Sequence, residues 1–178
     1  MQVDGYPTAD RPFHRSPLHL WKLPMAHSRR AARELALKIL YQADVGKMPI
    51  EEAFHSVTQG VQLDQKTIEF LREVVYGTFS ERKAIDQRIA DLSSGWALDR
   101  QAAVDRNILR LATYEILYSP AIPHAASINE AVELAKKYST HESGRFVNGV
   151  LGAMVNTLKS GNRSLSDNET QSSSETGG

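Results

Sequence analysis

The sequence predicts an all-α protein, a compact bundle of about seven helices joined by short connections. Within its 178 residues, apolar side chains recur at intervals of three and four through the middle of the chain, the spacing that gives a helix one buried face. Glycine, proline and capping residues interrupt this pattern at short intervals. We find no convincing segment with the apolar–polar alternation that is typical of a half-buried strand.

The first three predicted helices are delimited by residues that begin or end helices. The first covers about Ser28–Val45 and stops at Gly46. A short second helix, about Ile50–Gln59, follows Pro49. Asp64 is predicted to cap the third helix, because its side chain can accept a backbone N–H group of the first turn.

Four further helices follow, and their limits are again predicted from caps and breaks. The fourth helix is predicted to begin at a cap, Ser80, and to break at Gly95, and the fifth to begin at a cap, Asp99, and to end at Pro120. Ser127 and Glu130 form a predicted capping box at the start of the sixth helix, and the seventh covers about Glu142–Leu158. Inside the last helix, Gly149 and Gly152 predict the close approach of another helix, because glycine there costs about 1 kcal/mol relative to alanine and needs a packing reason.

The predicted folded body covers residues 26–160 and lies between two segments that we expect to be disordered. Residues 1–25 contain four prolines and show no apolar period. Residues 161–178 are rich in serine, glutamate and glycine and have too little apolar surface to order themselves. Because Met25 stands just before the first helix, the first segment is either an N-terminal extension or an addition upstream of the true start.

Composition excludes several classes of protein. The 21 lysines and arginines balance 21 aspartates and glutamates, so only the local distribution of charge can indicate a nucleic-acid partner. Cysteine is absent, which excludes a disulfide scaffold, a thiol nucleophile and a cysteine-ligated zinc site. No apolar run approaches the roughly 20 residues that span a bilayer, and we therefore expect no membrane partner.

The chain also lacks the common motifs of enzyme active sites. It has no glycine-rich phosphate or dinucleotide loop and no nucleophile elbow. The histidines of the folded body show no helical spacing that would place two of them on one metal ion. The sequence therefore predicts no catalytic residue, no metal and no cofactor.

Positive charge is concentrated at the start of the first helix. Arg29, Arg30 and Arg33 fall within about 100° of one another on a helical projection. One interpretation is a solvated face, with Arg30 paired to Glu34 one turn away. The other is a patch that binds the phosphates of a nucleic acid, and three such contacts to a single strand would give a log–log salt slope near about −2.

Four segments, in order and at similar intervals, resemble the NusB family of bacterial transcription antitermination factors. The similarity covers about residues 26–160. The segments are RRAARELA at 29–36 with Leu40-Tyr41, LRLATYEI at 109–116, INEAVELAK at 128–136, and RFVNGVL at 145–151. The resemblance implies two small helical sub-bundles that share a core.

The resemblance also implies a function without catalysis. Members of the family act in the cytoplasm and bind the single-stranded boxA element of nascent RNA together with NusE, a protein of the small ribosomal subunit. The complex joins elongating RNA polymerase with other Nus factors and suppresses premature termination, notably on ribosomal RNA operons.

Positions that match the family's RNA surface are Arg29, Arg30, Arg33, Glu142 and Phe146. Guanidinium groups fork phosphate oxygens and stack on unpaired bases. An acid at Glu142 would weaken phosphate binding slightly. Phe146 either stacks on a base or belongs to the core, because it continues the apolar face of its helix.

The family's NusE surface is expected at the end of the first helix and the start of the fifth, where Tyr41 and Asp105 match family positions. Arg106 and Glu115 are further candidates for this surface. Tyr41 is equally compatible with a half-buried core position. We also expect Arg110 and Glu115 each to find a partner on another helix.

Two alternatives remain at this stage. A helical module of this kind also resembles the N-terminal domain of some RNA cytosine methyltransferases, but their catalytic domain needs a cysteine and a few hundred more residues. The second alternative is a non-catalytic NusB-like scaffold that binds proteins and no RNA. For the assembly, we consider both a monomer and a homodimer that hides the RNA face.

Overall fold

The structure, a computed structural model, describes residues 29–93 and 101–172. Within these ranges the chain forms seven α-helices and no strand, which confirms the predicted all-α class. The helices are α1 (Arg29–Val45), α2 (Ile50–Thr58), α3 (Gln65–Ser80), α4 (Arg82–Leu92), α5 (Ala103–Tyr118), α6 (His124–Tyr138) and α7 (His141–Ser172).

Helix α5 is the centre of the fold. It packs against α1 and α3 on one side and against α4, α6 and α7 on the other, and α2 joins the first group by packing on α1. Most of its side chains are buried, and the buried apolar residues of both groups form one continuous cluster. The expected pair of sub-bundles with a shared core is therefore present.

Polar contacts fix the relative directions of the helices. Arg33, early in α1, contacts Glu115, late in α5, whereas Asp44, late in α1, contacts Arg106, early in α5. Helices α1 and α5 are therefore antiparallel. The side chain of Glu130 meets α1 near its start, so the first half of α6 lies beside the first turns of α1.

The sequence predicts that short polar side chains cap both α3 and α4, and the structure has only the first of these caps. Asp64 caps α3 as predicted, since its carboxylate accepts the N–H group of Thr67 at 2.7 Å. The predicted cap of α4 at Ser80 is wrong, because the backbone stays helical through Ser80 and leaves the helix only at Glu81 (φ −85°, ψ 6°).

The predicted capping box of α6 is also wrong. The helix begins at His124, where the carbonyl of Pro123 accepts the N–H groups of Ala126 and Ser127. The fixed φ angle of proline suits the position before a first turn, and its missing N–H group is not needed there. Ser127 is therefore inside the helix, and its hydroxyl contacts a side chain of α5 instead.

Helix α7 differs from its predicted limits at both ends. It starts at His141, because the Thr140 hydroxyl accepts the N–H group of Ser143 at 3.0 Å and forms an N-cap. It continues to Ser172, past the predicted end at Leu158, since no proline interrupts the segment and each added residue brings its own backbone hydrogen bond. The predicted features at residues 1–28, Gly95, Asp99 and residues 173–178 lie outside the described residues.

The glycine prediction for α7 is wrong, and a close contact occurs elsewhere. A Cβ atom at Gly149 or Gly152 would meet nothing within 4 Å, so neither residue is needed for packing. At Gly77 of α3, in contrast, a Cβ atom would collide with the ring of Tyr114 on α5. That ring also stacks on Tyr118, with 5.3 Å between ring centroids.

The two kinds of glycine should respond oppositely to the same substitution. Gly77→Ala should lower the free energy of unfolding by about 1–2 kcal/mol, because the Tyr114 ring must leave its place. Gly149→Ala should raise it by about 0.5–1 kcal/mol, because alanine has the higher helix propensity and meets no neighbour. Urea denaturation of both variants checks the pair, and equal effects at the two sites would contradict this packing.

Candidate nucleic-acid and partner interface

The first turn of α1 presents two exposed arginines, Arg29 and Arg30. The turn contains no acidic residue, although acids are the side chains that the positive end of a helix macrodipole favours. Cations at this position add to the positive end of the helix instead of neutralising it. The exposed start of α1 is therefore suited to contact an anion.

Arg33 lies about one turn further along α1, between Arg29 and Arg30 on the helical projection, and is buried, with 6% of its surface exposed. Its Nε and Nη2 atoms donate to the two carboxylate oxygens of Glu115 at 2.7 and 2.8 Å. The hydroxyl of Ser127 donates to the same carboxylate at 2.9 Å. The fork satisfies a glutamate that is itself 1% exposed, and one residue each from α1, α5 and α6 meets at this point.

This geometry corrects two predicted roles. Arg33 cannot fork a phosphate while it forks Glu115 in the core, and Glu115 has no surface to offer a protein partner. The expectation that Glu115 pairs with another helix is confirmed. A helical projection could not separate Arg33 from its exposed neighbours, because its burial depends on where α5 lies.

Arg30 forms a second fork nearer to the surface. Its Nη2 atom donates to Glu130 Oε1 at 2.6 Å, and its Nε atom donates to Glu130 Oε2 at 3.0 Å. Glu130 also lies 3.9 Å from Nη1 of Arg33. The hydrogen bond from Arg30, which outweighs the effect of partial burial, lowers the pKa of the Glu130 carboxyl. We refer to Glu115, Arg33, Glu130 and Arg30 as the ion-pair ladder.

Arg29 is positioned by an aromatic ring. Its guanidinium carbon lies 5.4 Å from the ring centroid of Phe70 on α3, and that of Arg33 lies at the same distance. Such cation–π contacts favour one orientation of the guanidinium group. No sequence signal distinguishes Phe70, which continues the apolar face of its helix.

Helix α6 lies between the two predicted groups of RNA residues. It contacts α1 through Glu130 and through Glu34, which accepts hydrogen bonds from Lys137 at 2.8 Å and Tyr138 at 2.9 Å. On its other side it packs against α7, where a Cβ atom at Gly144 would touch Lys136 and Val132.

The two predicted RNA residues of α7 differ in exposure. Glu142 is exposed. Phe146 is partly buried and packs against the main core, so the core interpretation accounts for part of the ring and leaves an accessible portion.

The end of α1 meets the start of α5, as the partner prediction required. Tyr41 is 38% exposed. Three residues later, Asp44 accepts hydrogen bonds from Arg106 Nε at 3.0 Å and Nη2 at 2.7 Å. Asp105, in contrast, is buried and accepts a hydrogen bond from the hydroxyl of Ser143 at 2.7 Å. Its predicted role as a direct partner contact is corrected to support of the α5–α7 junction.

Asp44 is the centre of a second ionic cluster, which the sequence analysis missed. Besides Arg106 it accepts from Asn107 at 3.1 Å and from Arg110 at 3.0 Å, and Arg110 forks Asp86 of α4 at 2.6 and 2.8 Å. Burial raises the pKa of the Asp44 carboxyl, but the hydrogen bonds from Arg106 and Asn107 and the charge of Arg110 outweigh it, so the pKa is lowered. The expected interhelical partner of Arg110 is thus confirmed.

The part of the chain that the structure describes contains no cluster of metal ligands and no membrane-spanning helix. No group of three or more histidine, aspartate or glutamate side chains there is arranged to hold a metal ion. None of the described helices combines the length and the apolar character that crossing a membrane requires.

The start of α1 carries exposed arginines, and its end carries an exposed tyrosine beside an ionic cluster. These are features of a helical binding protein with two faces. Comparison with known proteins gives the particular family. Residues 30–156 match the model of the NusB family, and the chain belongs to this family.

Relatives and solved structures agree with this assignment. The transcription antitermination protein NusB of Pelotomaculum thermopropionicum is 51% identical over 128 residues, which cover 72% of this chain and 89% of the relative. T. maritima NusB is 37% identical with a TM-score of 0.67, over 72% of this chain and 91% of that structure. A crystal structure described as antitermination factors NusB and NusE in complex with dsRNA is 28% identical with a TM-score of 0.67, over 72% of this chain and 96% of the matched chain.

The two arginine forks should differ sharply in their effect on stability. Arg33→Ala leaves the carboxylate of Glu115 buried without its cation, which should lower the free energy of unfolding by about 3–5 kcal/mol. Arg30→Ala should have a much smaller effect, because that side chain is 62% exposed. Chemical denaturation of the two variants tests this order, and a similar loss in both would mean that the inner fork is not a core element.

The Asp44 cluster should make stability depend on acid pH. A carboxyl whose pKa is lowered by folding stabilises the native state above its unfolded pKa of 3.8, and this contribution is lost as the pH falls through the lower native value. Asp44→Asn should therefore reduce stability at pH 7 and flatten the loss of stability below about pH 4. Urea unfolding at pH 7 and pH 3 measures both effects. Glu133→Gln is the control, because it removes one acid that is exposed. A variant with the wild-type pH profile would refute the assignment.

Proposed function

We propose that this protein is a non-catalytic transcription antitermination factor that binds boxA single-stranded RNA together with NusE. The complex acts in the cytoplasm on elongating RNA polymerase with other Nus factors, notably on ribosomal RNA operons. The observation that carries the proposal is the exposed pair Arg29 and Arg30 at the positive end of α1, in a chain of the NusB family. The solved complex of NusB and NusE with dsRNA adds support for joint binding of NusE and RNA.

The RNA face consists of Arg29 and Arg30, with Glu142 and the accessible part of Phe146 on the far side of α6. Arg29 offers its guanidinium group above Phe70, and Arg30 offers a guanidinium group that now pairs with Glu130 and can fork an anionic oxygen instead. Phosphate contacts supply affinity, and stacking on unpaired bases supplies preference for a sequence.

The NusE face lies at the other end of α1. Tyr41 offers an exposed ring, and Arg106 is held at the edge of the Asp44 cluster with 15% of its side chain exposed. An aromatic ring beside a fixed guanidinium group is a combination that protein interfaces favour. Asp105 and Ser143 support this face from within by holding the start of α7 against α5.

RNA binding should weaken when the exposed arginines change sign. Arg29→Glu with Arg30→Glu should reduce boxA affinity of the lone protein at least tenfold and leave helicity and unfolding free energy near wild type. The salt slope of wild type should be no steeper than about −1.4, because at most two phosphate contacts remain once Arg33 is assigned to the core. Fluorescence anisotropy at several salt concentrations measures both quantities.

The matched control changes two exposed cations of α4, Lys83→Glu with Arg88→Glu. This control alters net charge equally, and it should retain most of the affinity. Equal loss in the two double variants would show that general charge, and not the start of α1, governs RNA binding. Arg33→Glu is unsuitable for this experiment, because it would place a second acid against buried Glu115.

The contribution of NusE is tested on the same RNA. Wild type should bind boxA more tightly when NusE is present, and Tyr41→Ala should remove most of that gain with little change in the affinity of the lone protein. Tyr118→Ala, at another exposed tyrosine, is the matched control. Equal affinity with and without NusE would contradict joint binding, and NusE binding without any RNA binding would favour the protein scaffold. Sedimentation of the free protein separates a monomer from a homodimer that covers the RNA face.

A further inference from the structure

Glu130 stands between two arginines of unequal exposure. Its side chain is 19% exposed, whereas Arg30 on its outer side is 62% exposed and Arg33 on its inner side is 7% exposed. Arg33 is fixed by its own fork with Glu115. Arg30 can therefore leave the ladder toward solvent, while Glu130 keeps a cationic neighbour 3.9 Å away.

The carboxylate of Glu130 has the same chemistry as an RNA phosphate. It presents two anionic oxygens to the Nε–Nη2 edge of Arg30, and that edge is one with which arginine forks phosphate. A phosphate that approaches this edge must replace the carboxylate. Because Arg33 remains beside Glu130, the replacement does not leave the carboxylate without a cation.

We infer that Glu130 is an internal competitor of RNA phosphate for Arg30, and that it keeps the lone protein a weak binder of any single-stranded RNA. The inference rests on the proposed function and deepens it, because it names the group that restrains the RNA face. Part of the binding free energy of each RNA is used to separate Arg30 from Glu130. Stable binding then depends on additional contacts, from bases or from a bound partner protein.

The competition is independent of base sequence, which gives it a distinctive signature. The Arg30–Glu130 contact is broken by any phosphate, so removal of the carboxylate should raise affinity for boxA and for a scrambled RNA by a similar factor. It should also steepen the salt dependence, since a full arginine charge becomes available to displace counterions. A residue that merely supported the fold would lower both affinities together with stability.

The central variant is Glu130→Gln, which keeps the shape of the side chain and an acceptor for Arg30. Anisotropy titrations of the lone, full-length protein should give about two- to fivefold tighter binding of both RNAs, the size expected when an exposed ion pair no longer competes. The salt slope should become more negative by up to about 0.7. Glu133→Gln is the matched control, because it removes one charge from the same helix at a glutamate that pairs with Lys136. That control should change affinity much less.

A double-mutant cycle assigns the effect to Arg30. In an Arg30→Gln background, Glu130→Gln should change RNA affinity by no more than Glu133→Gln does, because the contested guanidinium group is gone. An effect of Glu130→Gln that persists in this background would overturn the inference and indicate a general electrostatic influence of the acid.

The remaining outcomes separate this inference from the proposed function. If wild type binds boxA and Glu130→Gln binds it equally or more weakly, the competitor role is wrong and RNA binding stands. Weaker binding in that case would indicate that Glu130 orients Arg30 for RNA. If wild type binds neither RNA, with or without NusE, the proposed function and this inference both fail.

Discussion

The buried ion pair between Arg33 and Glu115 is the contact on which the arrangement of the binding faces depends. It ties the first turns of α1 to the end of α5, and the hydroxyl of Ser127 brings the start of α6 to the same point. Burying both charges costs the free energy of their hydration, and their mutual attraction offsets that cost only when the geometry of the pair is good. The two-pronged fork supplies that geometry, and it fixes the rotation of α1 about its axis.

Once that rotation is fixed, Arg29 and Arg30 lie on either side of Arg33, at the rim of the buried core. Arg30 reaches the surface beside Glu130, and Arg29 lies over the edge of α3 at Phe70. The inner pair thus determines which cations an RNA strand can meet. Neutral net charge is compatible with this arrangement, because acids and bases are paired inside the ladder while the outermost guanidinium groups face solvent.

The sequence predicted the helices well because helix formation is governed by local spacing of apolar residues and by local caps such as Asp64. It failed where the outcome depends on another element. The sequence spacing allows either Arg30 or Arg33 to be exposed, and only the position of Glu115 decides that Arg33 is the buried one. Ser127 has the spacing of a cap, yet Pro123 starts the helix earlier and leaves its hydroxyl free for Glu115. Similarity to a family predicted two faces, but it could not separate surface residues from those that are buried, such as Arg33 and Glu115.

In the proposed arrangement one helix carries both faces, which gives a physical reason for joint binding. From Arg30 to Tyr41 the chain advances eleven residues along α1, about 17 Å at the rise of an α-helix. A protein docked at Tyr41 and an RNA strand held at Arg30 are therefore close enough to touch, and no change of fold is required for one to assist the other. Because the antiparallel α5 is bound to α1 at both ends, through Glu115 and through Arg106, the distance between the faces stays fixed. The gain from a partner should then come from added contacts to RNA, and not from a rearrangement of this protein.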